Sequence, residues 1–142
     1  MDARAILKRK GSGAVTIADD ELVATGVNVL SRENIGALVV EHNGELVGIL
    51  DERDIIRHLA TEGSATLSHT VRDVMKKTVV TCTPDEEAKD MMATMTRRRI
   101  RHLPIVEDGV LQGIVSIGDL LKTRLEEMET ERSVLRERLL AK

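Results

Sequence analysis

The sequence contains one segment twice. Residues 15–56 and 80–121 align without a gap at a constant offset of 65 positions, and 12 of the 42 aligned pairs are identical. The match is best between residues 48–55 and 113–120. A repeat of this length is one supersecondary unit copied, and so small a unit rarely buries its own apolar face alone. We therefore expect the two copies to pack on each other and to form a cleft where a ligand could bind.

Each copy has the pattern of a strand, a helix, a strand, a turn, a strand and a helix. Asn43-Gly44 and Asp108-Gly109 predict tight hairpin turns, because both turn residues need a positive φ angle. In the second copy, residues 79–82 predict a strand and residues 83–86 the start of a helix. The predicted fold class is α/β (α+β), with two β-α-β-β-α repeats packed through their sheets with pseudo-twofold symmetry, plus a long C-terminal helix.

The predicted divisions of the chain are the first repeat with a lead-in helix at 1–65, the second repeat at 66–124 and a helical extension at 125–142. The connector at 63–68 is predicted to be a loop. The last helix carries apolar residues at alternating spacings of four and three, with one arginine among them: Leu121, Leu125, Met128, Arg132, Leu135 and Leu139. This stripe is typical of a coiled-coil seam, but also of a helix packed on its own domain or on a neighbour. In either case it needs a partner surface.

The composition excludes several functions. The chain has no Phe, Tyr or Trp, so a bound base must lie between aliphatic side chains and backbone, and binding of single-stranded nucleic acid is disfavoured. A net charge of −3 provides no overall attraction to nucleic acid or to an anionic membrane. The single cysteine, Cys82, and four scattered histidines indicate neither an internal disulfide nor a metal site. With no apolar run of membrane-spanning length and no signal-peptide core, we expect a soluble cytoplasmic protein.

Ser116 and Asp119 have two interpretations. Their spacing is that of a capping box, in which the side chains of the cap residue and of the residue three positions later each accept a backbone N–H bond. Asp51 and Asp54 would form the same device in the first copy. The alternative is a ligand site, because a strand that leads into a helix N-terminus directs N–H groups and a hydroxyl at one point, where an anion can bind.

The two copies differ in charge next to this motif. Arg101 and His102 begin the middle strand of the second copy, where the first copy has Gly36 and Ala37. Residues 97–99 are most simply basic residues that match the dipole at a helix C-terminus. We therefore expect a phosphate-competent site in the second copy and a less polar one in the first. Asp51 would repel a phosphate unless Arg53 screened it.

The doubled Gly-h-h-x-x-x-Asp motif (h, apolar), with Arg-Ile-Arg-His-Leu-Pro at 99–104, resembles a pair of cystathionine-β-synthase (CBS) domains. The resemblance extends from about residue 6 to residue 121 and is closest to small stand-alone CBS-pair proteins. It implies that Asp54 and Asp119 bind ribose hydroxyls, that Ser116, Arg101 and His102 face phosphate, and that the first strand of each copy borders adenine. The implied ligand-binding residues are Thr16, Ile17, Ala37, Arg53 and Asp54 in the first copy and Thr81, Cys82, Ile100, Arg101, His102, Pro104, Ser116 and Asp119 in the second.

The resemblance implies a regulatory module without catalytic cofactors that binds AMP, ADP, ATP, NAD or S-adenosylmethionine. With no second domain in the sequence, its output would pass through another protein, and a homodimer or larger assembly is expected. An alternative is an oligomerising scaffold whose ligand pockets are degenerate. The sequence shows no metal triad, activated nucleophile, glycine-rich phosphate loop or paired carboxylates on a common face, so we do not expect an enzyme.

Overall fold

The computed structural model describes residues 1–11 and 13–141. Ser12, within the predicted first repeat, and Lys142, the end of the predicted extension, lie outside the described residues. The helices are α1 (Ala3–Lys10), α2 (Val23–Glu33), α3 (Glu52–Glu62), α4 (Val71–Val74), α5 (Ala88–Arg98) and α6 (Ile117–Leu140). The strands are β1 (Thr16–Ala18), β2 (Ala37–His42), β3 (Glu45–Asp51), β4 (His102–Glu107) and β5 (Val110–Ser116). The mixed α/β class with two sheets and a long last helix is confirmed, whereas the connector predicted to be a loop is a 3₁₀ helix at Gly63–Ser68.

One compact unit comprises residues 14–80. Its sheet has the order β1-β2-β3, with β1 parallel and β3 antiparallel to β2. Aliphatic side chains from the sheet and from α2, α3 and α4 form its core, as the absence of aromatic residues requires: Ile17, Val23, Leu30, Leu38, Val40, Leu50, Ile55, Val71 and Val74.

The other compact unit comprises residues 1–13 and 81–142. Its sheet is the antiparallel pair β4-β5. The predicted first strand of this copy is reduced to a single parallel bridge between Cys82 and Ile105. Pro104 explains the loss: the amide of Val39 donates to the carbonyl of Val15 in the first copy, and Pro104 at the equivalent position has no N–H to donate.

The compact units divide the chain differently from the repeats in the sequence. Helix α1 precedes the first copy but belongs to the unit of the second, and α4 precedes the second copy but belongs to the unit of the first. Two glycines at equivalent positions allow this packing. A Cβ on Gly113 would lie 2.7 Å from the Leu7 side chain, and one on Gly48 would lie 2.5 Å from Met75 Sδ and 2.7 Å from the Lys76 carbonyl oxygen.

Local predictions from the sequence have mixed outcomes. Both hairpin turns have positive φ at their two central residues, as predicted. The prediction that a helix starts at residues 83–86 is wrong, because these residues form a turn and α5 begins at Ala88. The N-terminal segment explains the delay, because Ala3 donates to the Glu86 carbonyl and Ala88 donates to that of Met1. Basic residues end α5 as predicted, with Arg99 as a left-handed C-cap.

Helix α6 has a packed half and a projecting half. Leu120 and Thr123 are buried in its first two turns, whereas every residue at 128–141 is exposed. In the part of the chain that the structure describes, none of the helices combines the length and apolar character that a membrane span requires.

Candidate functional site

The polar residues of the second copy meet where the β4-β5 ladder ends and α6 begins. His102 and Ser116 are directly paired across the ladder, and the amide of Ile117 donates to the carbonyl oxygen of Arg101 at 2.9 Å. The sequence placed these residues on separate segments, and the register of the two strands brings them to one point. A helix N-terminus at this point favours negative charge, since its first N–H groups and its dipole both direct positive potential outward.

Ser116 and Asp119 form the capping box that their spacing predicts. The amide of Asp119 donates to Ser116 Oγ at 3.1 Å, and the amide of Ser116 donates to Asp119 Oδ2 at 2.9 Å. Lys10, from the end of α1, places its Nζ 2.9 Å from the same Oδ2. Burial disfavours the ionised form of this carboxyl, but the Ser116 amide and the Lys10 ammonium outweigh it and hold the pKa of Asp119 below its ordinary value.

The first copy builds a different arrangement at the equivalent positions. The amide of Asp54 donates to Asp51 Oδ1 at 2.9 Å, but the reciprocal bond of a capping box is not formed. Lys76 Nζ lies 3.0 Å from Asp51 Oδ2 and 3.6 Å from Asp54 Oδ2. Asp51 and Asp54 thus form a nearly buried carboxylate pair on one helical turn, where the sequence analysis expected no such pair.

The two carboxyls of this pair have opposite pKa shifts. Burial raises the pKa of Asp54, and the neighbouring Asp51 raises it further, against the opposing effects of Lys76 and Arg57. Asp54 is only 7% exposed, and within the described residues its Oδ2 makes no hydrogen bond. For Asp51, burial also disfavours the charge, but the Asp54 amide and Lys76 hold the pKa of Asp51 below its ordinary value. The two carboxyls lie close together and share the ammonium group of Lys76, so ionisation of Asp51 disfavours ionisation of Asp54.

The remaining predicted residues of the second copy, Thr81, Cys82, Ile100 and Pro104, differ in burial. The amide of Cys82 donates to the carbonyl of Pro104 at 3.0 Å, and both residues are buried, whereas Thr81 is exposed and Ile100 is half-buried. Burial raises the pKa of the Cys82 thiol to about 12, with Glu86 adding to the effect. This thiol is therefore protonated at neutral pH and packs as a small apolar residue.

In the first copy, Ala37 is buried and pairs with Asp51 across the β2-β3 ladder. Thr16 is exposed and Ile17 is buried on β1, where they pair with Val39 and Val40. Arg53 is exposed on α3. The predicted role of Arg53 as the screen for Asp51 is filled by Lys76, which lies within ion-pair distance of Asp51.

Residues of α1 line two surface hollows in the unit of the second copy. The smaller, of about 80 Å³, borders Asp119 and is lined also by Ile6, Arg9, Lys10, Lys122 and Thr123. This volume is well below the roughly 300 Å³ at which ligand pockets begin, so the hollow alone cannot enclose a nucleotide. The larger hollow has a volume of about 480 Å³, and none of the residues predicted to bind a ligand borders it. It is lined by Arg4, Leu7, Lys8, Gly11, Gly13, Pro84, Glu107 and Gln112.

Two lysines that contact the repeated aspartates are not among the residues predicted from the sequence. Lys10 is the last residue of α1, and Lys76 follows α4 by two residues, so each lies at the end of the short helix that precedes a copy. This repeated placement was a signal available in the sequence. The copy that each lysine contacts was not, because that depends on how the lead-in helices pack.

Comparison with known proteins identifies a family for both repeats. A family model for the CBS domain matches residues 5–61 and 71–126. The mitochondrial CBS domain-containing protein CBSX3 of Arabidopsis thaliana is 35% identical over 135 residues, which cover 89% of this chain and 66% of CBSX3. The chain therefore spans slightly less than two thirds of the length of that relative.

Solved structures show the same fold. The CBS-domain containing protein ATU1752 from Agrobacterium tumefaciens is 38% identical and superposes with a TM-score of 0.85, covering 87% of this chain and 99% of that one. The CBS domain pair of protein MJ0100, in complex with 5-methylthioadenosine and S-adenosyl-L-methionine, has a TM-score of 0.79 at 24% identity, covering 89% and 98%. The fold is thus that of a CBS domain pair. This chain belongs to the CBS-domain family, with one domain in each repeat.

Proposed function

We propose that this CBS pair is a regulatory module that binds an adenosine-containing ligand of the AMP, ADP, ATP or NAD type and signals its occupancy to a partner protein. Family membership supports the general class of function. The observation that carries the proposal is the clustering of Arg101, His102, Ser116 and Asp119 around the N-terminus of α6. No catalytic chemistry is part of the proposal.

In the second copy, we assign the phosphate to the N-terminus of α6. The Ser116 hydroxyl and the basic residues Arg101 and His102 would provide the donors, and the helix dipole would favour the negative charge. Asp119 would accept hydrogen bonds from the ribose hydroxyls. Both of its contacts described above fall on Oδ2, so Oδ1 is the oxygen proposed for the sugar.

In the first copy, the carboxylate pair Asp51 and Asp54 disfavours a phosphate at the equivalent point. The site would instead suit an adenosine-containing ligand whose group at this point is neutral or cationic. Protein MJ0100, whose CBS pair is bound to 5-methylthioadenosine and S-adenosyl-L-methionine, is a precedent within this fold for ligands without phosphate. The Asp54 carboxylate would bind the ribose, as proposed for Asp119, with Thr16, Ile17, Ala37 and Arg53 as the remaining contacts.

We further propose that the protein acts as a homodimer or larger assembly, because apolar residues of α6 are exposed. A CBS-CP12 protein from bloom-forming cyanobacteria with the same fold is hexameric, and this chain covers 66% of it at 28% identity. If the pockets bound nothing, the same assembly would act as an interaction scaffold, which is the second function proposed.

Thermal melts test the proposal. A ligand at about a hundred times its dissociation constant adds roughly 2.7 kcal/mol to the free energy of unfolding. We expect at least one of AMP, ADP, ATP, NAD and S-adenosylmethionine to raise the melting temperature, and no change with any of them would contradict the proposal. Because the chain has no Trp or Tyr, a nucleotide that co-purifies would dominate the absorbance near 260 nm and could be identified by mass spectrometry.

A further inference from the structure

The projecting half of α6 exposes its apolar residues to solvent. Met128 is 56% exposed, Leu135 60% and Leu139 67%. A helix of this length is marginal in water without tertiary contacts, and residues 128–141 are all exposed. The projecting half therefore needs another surface to bury its apolar side.

The exposed apolar residues follow a heptad repeat. Leu121, Met128 and Leu135 occupy the d positions and Leu125, Arg132 and Leu139 the a positions, with spacings of four and three throughout. We define these six residues as the α6 seam. The flanking e positions are Lys122, Glu129 and Arg136, and the flanking g positions are Arg124, Glu131 and Arg138. In coiled coils these flanking charges set the partner and its orientation.

We propose that the α6 seam is the interface of a parallel, two-stranded coiled coil with a second copy of this chain. In a parallel pair, each g residue faces the e residue five positions later on the other helix. Arg124 then faces Glu129, and Glu131 faces Arg136, and the twofold axis duplicates both pairs. All four contacts join opposite charges.

Arg132 also fits this arrangement. An a residue packs into a hole on the other helix that is bordered by the preceding g residue. For Arg132 that residue is Glu131 of the second copy, so a carboxylate lies beside the one cation of the α6 seam. An arginine at a single a position lowers stability but selects one register, since any shift would place it against leucine.

The antiparallel alternative is disfavoured by charge. In an antiparallel pair whose α6 seams overlap fully, Leu121 faces Leu139 and Leu125 faces Leu135. Each g residue then faces a g residue of the second copy, and each e residue faces an e residue. All these contacts then join like charges: Arg124 with Arg138, Lys122 with Arg136, Glu129 with Glu129, and Glu131 with Glu131. A shift by one heptad pairs opposite charges but leaves two of the five apolar residues of the seam without a partner. The parallel arrangement gives every apolar residue of the seam an apolar partner and makes all four g–e contacts between opposite charges. Its one like-charge contact joins the two Arg132 side chains, and Glu131 of each helix lies beside that layer.

The inference rests on the self-association proposed above and not on ligand binding. Cross-linking through single cysteines in the full chain tests it. In the parallel pair, Leu135→Cys lies opposite its own copy, within the range of about 4–7 Å between Cα atoms that a disulfide requires. In the fully overlapped antiparallel pair it faces position 125, so the two cysteines are about 15 Å apart along the axis. The native Cys82 is buried and does not compete.

Glu137→Cys is the matched control, because residue 137 is exposed at the f position, away from the α6 seam. We expect mild oxidation to convert Leu135→Cys to a covalent dimer at least tenfold faster than Glu137→Cys. Equal rates, or no covalent dimer from Leu135→Cys, would overturn the inference. Light scattering on the parent chain separates the two proposals: a dimer whose Leu135→Cys variant does not cross-link contradicts only the coiled coil, and a monomer contradicts both.

A charge reversal provides a second test of the same pairing. Glu131 is the better position to change, because Arg124 already donates to Glu127 of its own helix at 3.1 Å. In the Leu135→Cys background, Glu131→Arg should slow cross-linking roughly tenfold, since it faces Arg136 and Arg132 of the second copy. Adding Arg136→Glu should restore much of the lost rate, because the g–e contact again joins opposite charges while Arg132 still lies beside an arginine. Glu137→Arg should leave the rate unchanged. A rate that Glu131→Arg does not alter, or that Arg136→Glu does not restore, would contradict the parallel pairing.

Discussion

Lys10 Nζ lies 2.9 Å from Asp119 Oδ2, although Lys10 precedes the first repeat of the sequence, residues 15–56, and Asp119 lies near the end of the second, residues 80–121. Lys76 has the corresponding place in the other unit, 3.0 Å from Asp51 and 3.6 Å from Asp54. A lysine therefore stands beside each aspartate proposed to bind ribose. The second copy pairs its lysine with one carboxylate, and the first copy shares its lysine between two.

Asp119→Asn should weaken AMP binding at the second site. The amide keeps the shape and can still accept a capping bond, but it lacks the charge that strengthens hydrogen bonds from two ribose hydroxyls. Affinity should fall by about 1.5–3 kcal/mol, roughly ten- to a hundredfold, and stability by a few tenths to about 1 kcal/mol. Calorimetry measures both. A stability loss with unchanged affinity would mean that Asp119 serves only as a capping residue, and Asp54→Asn, beside Asp51, should affect AMP less.

Arg101→Ala should discriminate between ligands with and without phosphate. Of the groups of the ligand, Arg101 is proposed to contact the phosphate alone. Removing its side chain should therefore weaken AMP binding by about 1.5–3 kcal/mol and change the binding free energy of adenosine by only about a few tenths of a kcal/mol. The ratio of the two dissociation constants, measured by calorimetry, is the relevant quantity. Equal losses for AMP and adenosine would place Arg101 outside the phosphate site.

The repeated aspartates should respond oppositely to pH. The pKa of Asp119 is lowered in the folded state, so its stabilising contribution is present above the unfolded value near 3.8 and is lost as pH falls through the folded pKa. The pKa of Asp54 is raised, so stability falls as the pH rises from the unfolded value near 3.8 through the folded pKa. Relative to the parent, Asp54→Asn should therefore gain stability as the pH rises above about 4, whereas Asp119→Asn should lose stability as the pH rises towards about 4 from more acidic values. Denaturant unfolding as a function of pH on both sides of this value checks the signs, and a gain or a loss shared by both variants would contradict the assignment.

Gly48→Ala should destabilise the protein more than Gly113→Ala. A Cβ at position 48 would lie 2.7 Å from a backbone oxygen of Lys76, which cannot move without displacing the chain. At position 113 it would meet only the side chain of Leu7, which can change rotamer. We expect losses of about 1–3 kcal/mol for Gly48→Ala and less than about 1 kcal/mol for Gly113→Ala, measured by denaturant unfolding. The reverse order would show that the fit of Leu7 is the stricter of the two.

Several features follow from the sequence because their causes are local. Asn43-Gly44 and Asp108-Gly109 form hairpins since few other residues accept positive φ at both turn positions. Ser116 and Asp119 cap α6 since the two groups are one helical turn apart. The constant offset of the repeat identified the equivalent positions of the two copies. The match to the CBS family model confirms the resemblance that the repeated motif indicated.

Other features depended on contacts between segments far apart in the chain. Pro104 removes one amide, and the consequence appears only in the missing ladder bond to the segment before Cys82. The helix predicted at 83–86 starts later because Met1 and Ala3 bond to that segment from the other end of the chain. Local propensity cannot anticipate such bonds, since the competing donor lies outside any sequence window.

The two repeats, their hairpins, the cap of α6 and the aspartates that close each copy can be identified from the order of the residues alone. Tertiary contacts are needed to pack α1 in the unit of the second copy and α4 in that of the first, which brings Lys10 to Asp119 and Lys76 to Asp51. The physical reason is that a carboxylate's charge state depends on the burial and cations around it, and those are supplied by packing rather than by neighbours in the chain.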